Sequence, residues 1–250
     1  MIILNEKHYV EHILSEGTLA PSCTHTFLRL YARYLYHEKK LQKNEIVQKL
    51  DSFLEHSEPH YQKENWAAPL EQYAAKASTY PLCKCDGVWM TDCELQTILA
   101  LHDKVLERLA FTLLCLAKFR DFKNPKNDHW ISNSNGEIYS IACINTTAFE
   151  KDNKLHLLKE LGLIAFAKKV DNLNIRILFV EETGKKELFV SDFRKLGYEW
   201  RLYKGEKYIR CTACGILAKN TNGKRKYCVE CSKRIDLQKA KERMKKIRNL

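Results

Sequence analysis

Four cysteines near the C-terminus have the spacing of a metal site: Cys211 and Cys214 form one CxxC pair, Cys228 and Cys231 a second. Thiolates are soft ligands. Two CxxC turns joined by a short basic loop suit a closed tetrahedral zinc site with Cys211, Cys214, Cys228 and Cys231 as ligands. Gly215 follows the first pair, where a tight knuckle favours a residue that tolerates positive φ. With four thiolates the shell is full. No His or carboxylate is placed to leave an open position, so the expected zinc is structural, not catalytic.

The charge around this motif is as informative as the motif. Residues 201–250 hold 16 Lys/Arg against 4 Asp/Glu, whereas the whole chain is +11, so the first 200 residues are close to neutral. Lys219, Lys224, Arg225 and Lys226 fall in the loop between the cysteine pairs. Lys233, Arg234, Lys241 and Arg243 follow in a breaker-free segment of high helix propensity. A basic tail on a neutral body is the electrostatic footprint of phosphate contact. The segment 216–227 is expected to fold as a β-hairpin turning at residues 220–223. Knuckle, hairpin, knuckle and helix make a treble-clef-like order.

Other chemistry is thinner. Cys83, Cys85 and Cys93, with His102 beyond, form a weak pattern, read as buried or incidental thiols. His129-Trp130 beside Asn124, Asn127 and Asp128 reads as a packed loop anchor. No P-loop, GxGxxG or GxSxG occurs, and the acidic residues form no spaced catalytic set, so no enzyme activity is expected.

These motifs need elements to position them. Apolar residues recur at helical spacing in Tyr9, Ile13 and Leu14, in Phe27 to Leu35, and in Ile46 to Leu54, with a fourth short helix over 66–77. Residues 1–90 read as a helical bundle, with room for a short strand near 80–90. Thr91 and Glu94 fit a capping box that opens a long helix over 92–119, apolar on nearly all sides from Val105 and therefore central and buried. A short helix over 137–143, a helix over 148–161 ending at Gly162, and two β-rich runs, 163–170 and 175–180, follow. That order predicts a winged helix-turn-helix over 91–182. Its second long helix would turn Leu155, Leu158 and Leu161 inward and Lys151, Asn153, Lys154, His156 and Lys159 outward. Its wing would carry Lys168, Lys169, Asn172, Asn174 and Arg176. Lys154, Lys159, Lys168, Lys169 and Arg176 are thus further candidate nucleic-acid contacts. Against this, residues 91–200 hold 16 basic and 16 acidic residues, so a purely structural or docking winged helix fits equally. Residues 183–207 read as a connecting segment and 208–250 as the zinc module with its basic helix.

The pieces RLAFTLLCLAKF (108–119), NDHWISNSNGEIYSIACI (127–144), LLKELGLIAFAKKVDNLNI (157–175) and CTACG…KYCVEC (211–231) resemble uncharacterised phage and mobile-element proteins. These join a helical region and a winged helix to a C-terminal CxxCG…YCxxC module. The resemblance implies a DNA-transacting or host-interacting accessory protein and supplies no further site residue.

The fold class expected is mainly α within α+β. The function expected is nucleic-acid binding, DNA ahead of RNA, by a cytoplasmic accessory or regulatory protein with structural zinc. A homodimer is one further expected partner. The alternative is an interaction factor or inhibitor that binds a host or phage nucleic-acid-processing complex. No stretch approaches a membrane span and the start has no signal-peptide character, so no membrane partner is expected.

Overall fold

The computed structural model describes residues 2–16, 23–58, 60–168, 174–220 and 223–248. It is mostly helical with three small antiparallel sheets, an α+β class. No helix among the described residues is long and apolar enough to cross a membrane. The chain divides into two units, one of residues 3–86 and one of 87–250 with residue 2.

The first unit holds four helices: α1 (Glu6–Glu16), α2 (Thr24–His37), α3 (Lys43–Ser57) and α4 (Lys63–Ala75). Their apolar stripes meet in a core of Val10, Phe27, Leu28, Ile46, Leu50, Leu54 and Leu70. Glu45 opens α3 by accepting the Gln42 N–H at 2.8 Å. Arg33 closes the unit: it pairs with Glu6 at 3.0 Å and donates to the Tyr80 and Pro81 carbonyls. Leu14, expected on the apolar face of α1, is exposed.

The second unit is organised by a buried helix. The expected long helix over 92–119 is two helices, α5 (Asp92–Leu99) and α6 (Lys104–Lys123). His102 between them takes φ +49°, and Asp103 caps α6 by accepting the Val105 and Leu106 N–H groups at 2.7 and 2.8 Å. Periodicity ran through this break; the local cap of Asp103 outweighs it. The Thr91–Glu94 box forms, and Glu94 does more than cap. Fully buried, it also accepts the Glu181 N–H at 2.8 Å and pairs with Lys118 at 2.7 Å.

Strand β1 (Val88–Thr91) pairs with β5 (Lys186–Val190), which carries residues 88–90 into this unit and out of the helical region expected for 1–90. After α6 come β2 (Trp130–Ile131), α7 (Asn135–Ile141), α8 (Ala148–Glu160), β3 (Ile164–Phe166) and β4 (Ile175–Ile177). The three strands form one sheet in the order β2-β4-β3. His129 anchors the entry to β2: its Nδ1 lies 2.7 Å from Asp121 Oδ2, and its N–H donates to Asp121 Oδ1 at 3.0 Å. On α8, Leu155 and Leu158 face inward, but Leu161 is exposed because the helix ends before it. Lys169 and Asn172 lie outside the described residues.

Residues 183–207 are part of the core and more than a connection. Besides β5 they hold α9 (Leu196–Tyr203), whose Leu196 and Trp200 are buried. The Trp200 ring lies 5.2 Å from that of Phe111, and its indole N–H donates to the buried Glu107 at 3.0 Å. Lys204 neutralises Glu107 from the other side at 3.0 Å. At Gly197 the backbone of α9 meets the end of α7 so closely that a Cβ would lie 1.9 Å from the Ala142 carbonyl oxygen. Gly197→Ala is therefore expected to lower unfolding free energy by about 1–3 kcal/mol. Gly136→Ala, which meets nothing within 4 Å, is expected to be neutral or slightly stabilising as a helical Gly→Ala change. Urea titrations of both variants check this; an undisturbed Gly197→Ala protein would rule out the close contact.

Candidate metal centre and basic surface

The C-terminal module consists of β6 (Tyr208–Arg210), β7 (Leu217–Lys219) and α10 (Val229–Arg248). Its hairpin is not where the sequence placed it. Tyr208, Ile209 and Arg210 pair with Lys219, Ala218 and Leu217, so the first CxxC turn is the hairpin's own turn, and residues 223–227 form no strand. Within that turn the Gly215 N–H donates to the Cys211 carbonyl at 2.8 Å and Gly215 takes φ +73°. Cys228 precedes α10 and Cys231 lies in its first turn. The Thr212 N–H donates to the Lys226 carbonyl at 3.0 Å, which ties the second pair to the first.

The four thiol sulfurs all lie within 4.8 Å of one another, with Cys214 and Cys228 Sγ 3.8 Å apart. Metal–sulfur bonds of about 2.3 Å in a tetrahedron give an edge of about 3.8 Å, so the donor set fits a metal ion such as zinc. Cys211, Cys228 and Cys231 are buried and Cys214 half-buried. Among the described residues this is the one group of three or more convergent His, Cys, Asp or Glu side chains. Cys83, Cys85, Cys93 and His102 form no such group.

Electrostatics explain why these thiols need a cation. Burial opposes ionisation of Cys211, yet backbone N–H groups of Cys228, Ala213 and Cys214, with the Cys214 thiol, hold it down to about 6. Cys231 lies at the other extreme: burial, then the neighbouring cysteines, push its thiol up to about 12. The protein alone thus stabilises the Cys211 thiolate and resists those of Cys214 and Cys231. Two features bring positive potential to the sulfurs. The Cys231 N–H points at Cys228 Sγ at 3.4 Å from the N-terminus of α10, and Arg234 lies 3.9 Å from Cys231 Sγ. Arg194 anchors the knuckle by donating to the Cys214 carbonyl at 2.8 Å, itself held by Asp192 at 2.7 Å. Nothing in the sequence marked Arg194 or Asp192, since their partner lies some twenty residues away.

The basic candidates divide by what they touch. Lys219, Lys224, Lys226, Lys233, Lys241 and Arg243 expose their side chains. Arg225 is half-buried and clamps its loop, donating to the Tyr227 and Lys219 carbonyls at 2.9 and 3.0 Å. From Asp236 to Lys245 every side chain of α10 is exposed. In the second candidate set Arg176 is bound to Asp128, and Lys159 lies over the Phe166 ring at 5.5 Å. Lys154 is half-buried and Lys168 exposed; Lys169 lies outside the described residues.

Set against protein-family models, curated proteins and solved structures, the chain matches none.

The fully loaded protein should carry one metal ion per chain, and Cys228→Ser with Cys231→Ser should lose it, as read by metal analysis after gel filtration. Uptake must displace the Cys231 proton, so metal affinity is expected to fall as pH falls. A chelator competition series from pH 8 to pH 6 checks the sign; equal affinity across it would contradict thiolate ligation.

Proposed function

We propose that this protein is a nucleic-acid-binding accessory or regulatory protein of the cytoplasm, DNA favoured over RNA, without enzymatic activity of its own. A structural zinc ion folds its C-terminal module in a treble-clef-like arrangement and so presents α10. The observation that carries the reading is α10 itself. Between residues 233 and 245 it bears six basic and two acidic residues, and only Ile235 among them is half-buried. At about 1.5 Å per residue it is some 30 Å long, close to one turn of duplex. An exposed helix of that length with so large a basic excess matches a phosphate backbone better than it matches a protein core.

The order α6, β2, α7, α8, β3, β4 with sheet order β2-β4-β3 supports a winged helix-turn-helix reading of residues 104–177. There α8 takes the recognition position and β3–β4 the wing. A second reading has its own observation. The outward face of α8 exposes Phe149 and Leu157 beside Glu150, Asp152 and Glu160, and Leu161 is exposed just past its end. Apolar and acidic side chains suit a protein surface more than phosphates, which favours α8 as the contact of an interaction factor, or of a second copy, while α10 holds the nucleic acid.

Binding to duplex DNA, single-stranded DNA and RNA, titrated in salt with the metal-loaded protein, tests the main reading. If about six phosphates are neutralised, affinity should fall about a thousandfold between 50 and 200 mM salt. Lys233→Glu, Lys241→Glu and Arg243→Glu together should weaken binding at least a hundredfold while the metal content stays at one. A folded, loaded protein that binds none of the three at low salt would refute this reading. A nuclease-resistant protein complex that depends on Phe149 would favour the second.

A further inference from the structure

We infer that the cavity between α7, α8 and α9 is a binding site for a phosphate group. It has a volume of about 420 Å³, and its lining includes Ser140, Cys143, Asn145, Lys151, Lys195 and Tyr198. No carboxylate is among its described lining residues. Neither Lys151 nor Lys195 makes an ion pair with a described residue; the Lys151 ammonium lies over the Tyr139 ring, 5.6 Å from its centroid. Two lysines therefore line one concave surface that has no carboxylate among its described lining residues. Like charges lining one depression repel each other, and an anion bound there relieves that repulsion. Around them the Ser140 hydroxyl, the Asn145 amide and the Tyr198 hydroxyl line the same cavity with no hydrogen-bond partner among the described residues.

The walls are fixed by contacts made elsewhere. Tyr139 donates its hydroxyl to the Lys151 carbonyl at 2.6 Å, pinning the start of α8 to α7. Gly197 seats α9 on the Ala142 carbonyl. Behind Cys143, Arg108 donates to its carbonyl at 2.8 Å and holds that part of the wall in place. Two point-like ammonium groups with three neutral donors suit the several acceptor oxygens of a phosphate, whereas the planar guanidinium fork that matches a carboxylate does not enter the cavity. The group can arrive as the terminal phosphate of a nucleic-acid strand or on a phosphorylated small molecule such as a mononucleotide. The site stands without the nucleic-acid reading, because inorganic phosphate is itself a probe for it.

The test is calorimetric titration of inorganic phosphate into the full-length, metal-loaded protein at constant ionic strength. The variants are Lys151→Met with Lys195→Met, which keeps the aliphatic stems, and Lys195→Gln alone. Wild type is expected to bind saturably and the double variant at least tenfold more weakly, with circular dichroism unchanged. If the double variant fails to fold, Lys195→Gln decides, with an expected loss of at least threefold. Tighter binding of a 5′-phosphorylated than of a 5′-hydroxyl oligothymidylate, abolished in the variant, would assign a strand end. Competition by a mononucleotide without that preference would assign a small molecule. Equal phosphate binding by wild type and variants, or none by the folded wild type, would overturn the inference even if the α10 variants had already established nucleic-acid binding.

Discussion

Helix α6 is apolar around its whole circumference, and the unit of residues 87–250 is arranged to cover it. Leu109, Ala110, Phe111, Leu113, Leu114, Cys115, Leu116 and Ala117 are all withdrawn from water. One partner can hide only one stripe of a helix. Burying this one takes α5, α7, α8, α9, β1, β2 and β4, each of which contacts it. That requirement draws in segments from residue 88 to residue 203 and makes them one packed body. The few ionised groups beside α6 are matched: Glu107 by Trp200 and Lys204, Glu94 by Lys118 and two backbone N–H groups. An unmatched charge at those depths would outweigh several apolar contacts.

The C-terminal module is built on the opposite principle. Its buried cluster is Cys211, Ala218, Cys228 and Cys231, with Ile209, Cys214, Ile216 and Tyr227 against it. So small a core cannot offset the conformational entropy of ordering its loops, and small domains of this kind rely on a staple. The cysteines are both the core and the group that could hold a metal ion. A metal held there would couple its binding to the folding of this part of the chain. Through Arg194 the knuckle is tethered to the larger body, while α10 leads away from the cluster with its side chains in solvent.

Charge follows the same division. The excess of basic residues falls on the module whose apolar content is least, and the body carries nearly balanced charge. On the body, most cations are spent on carboxylates, carbonyls or aromatic rings, as at Lys118, Arg108, Arg176 and Lys159. Position along the chain says little about which cations remain available. Arg225 and Arg234 sit in the most basic stretch, yet one clamps a loop and the other faces the Cys231 sulfur.

Features set by a few consecutive residues were legible before any coordinates. These include the clustering of the four cysteines with Gly215 in its knuckle, the Thr91–Glu94 capping box, the buried character of α6, the end of α8 near Gly162 and the helicity of α10. Each rests on spacing, capping or periodicity, interactions that close within one or two turns. The break at His102–Asp103 was also local, but two local signals competed there and the cap prevailed. Everything that depended on distant partners was decided by packing. No pattern in residues 183–207 says that β5 will find β1 or that Trp200 will reach Glu107. Nor does a CxxC pair say which flanking residues form its hairpin. The placing of Lys151 and Lys195 in the lining of one cavity is of the same kind, because it arises only when α8 is pinned to α7 by Tyr139 and α9 meets α7 at Gly197. Short-range geometry is written in neighbouring residues, whereas the meeting of remote segments is chosen by the free energy of burying their joint surface, which no single segment carries.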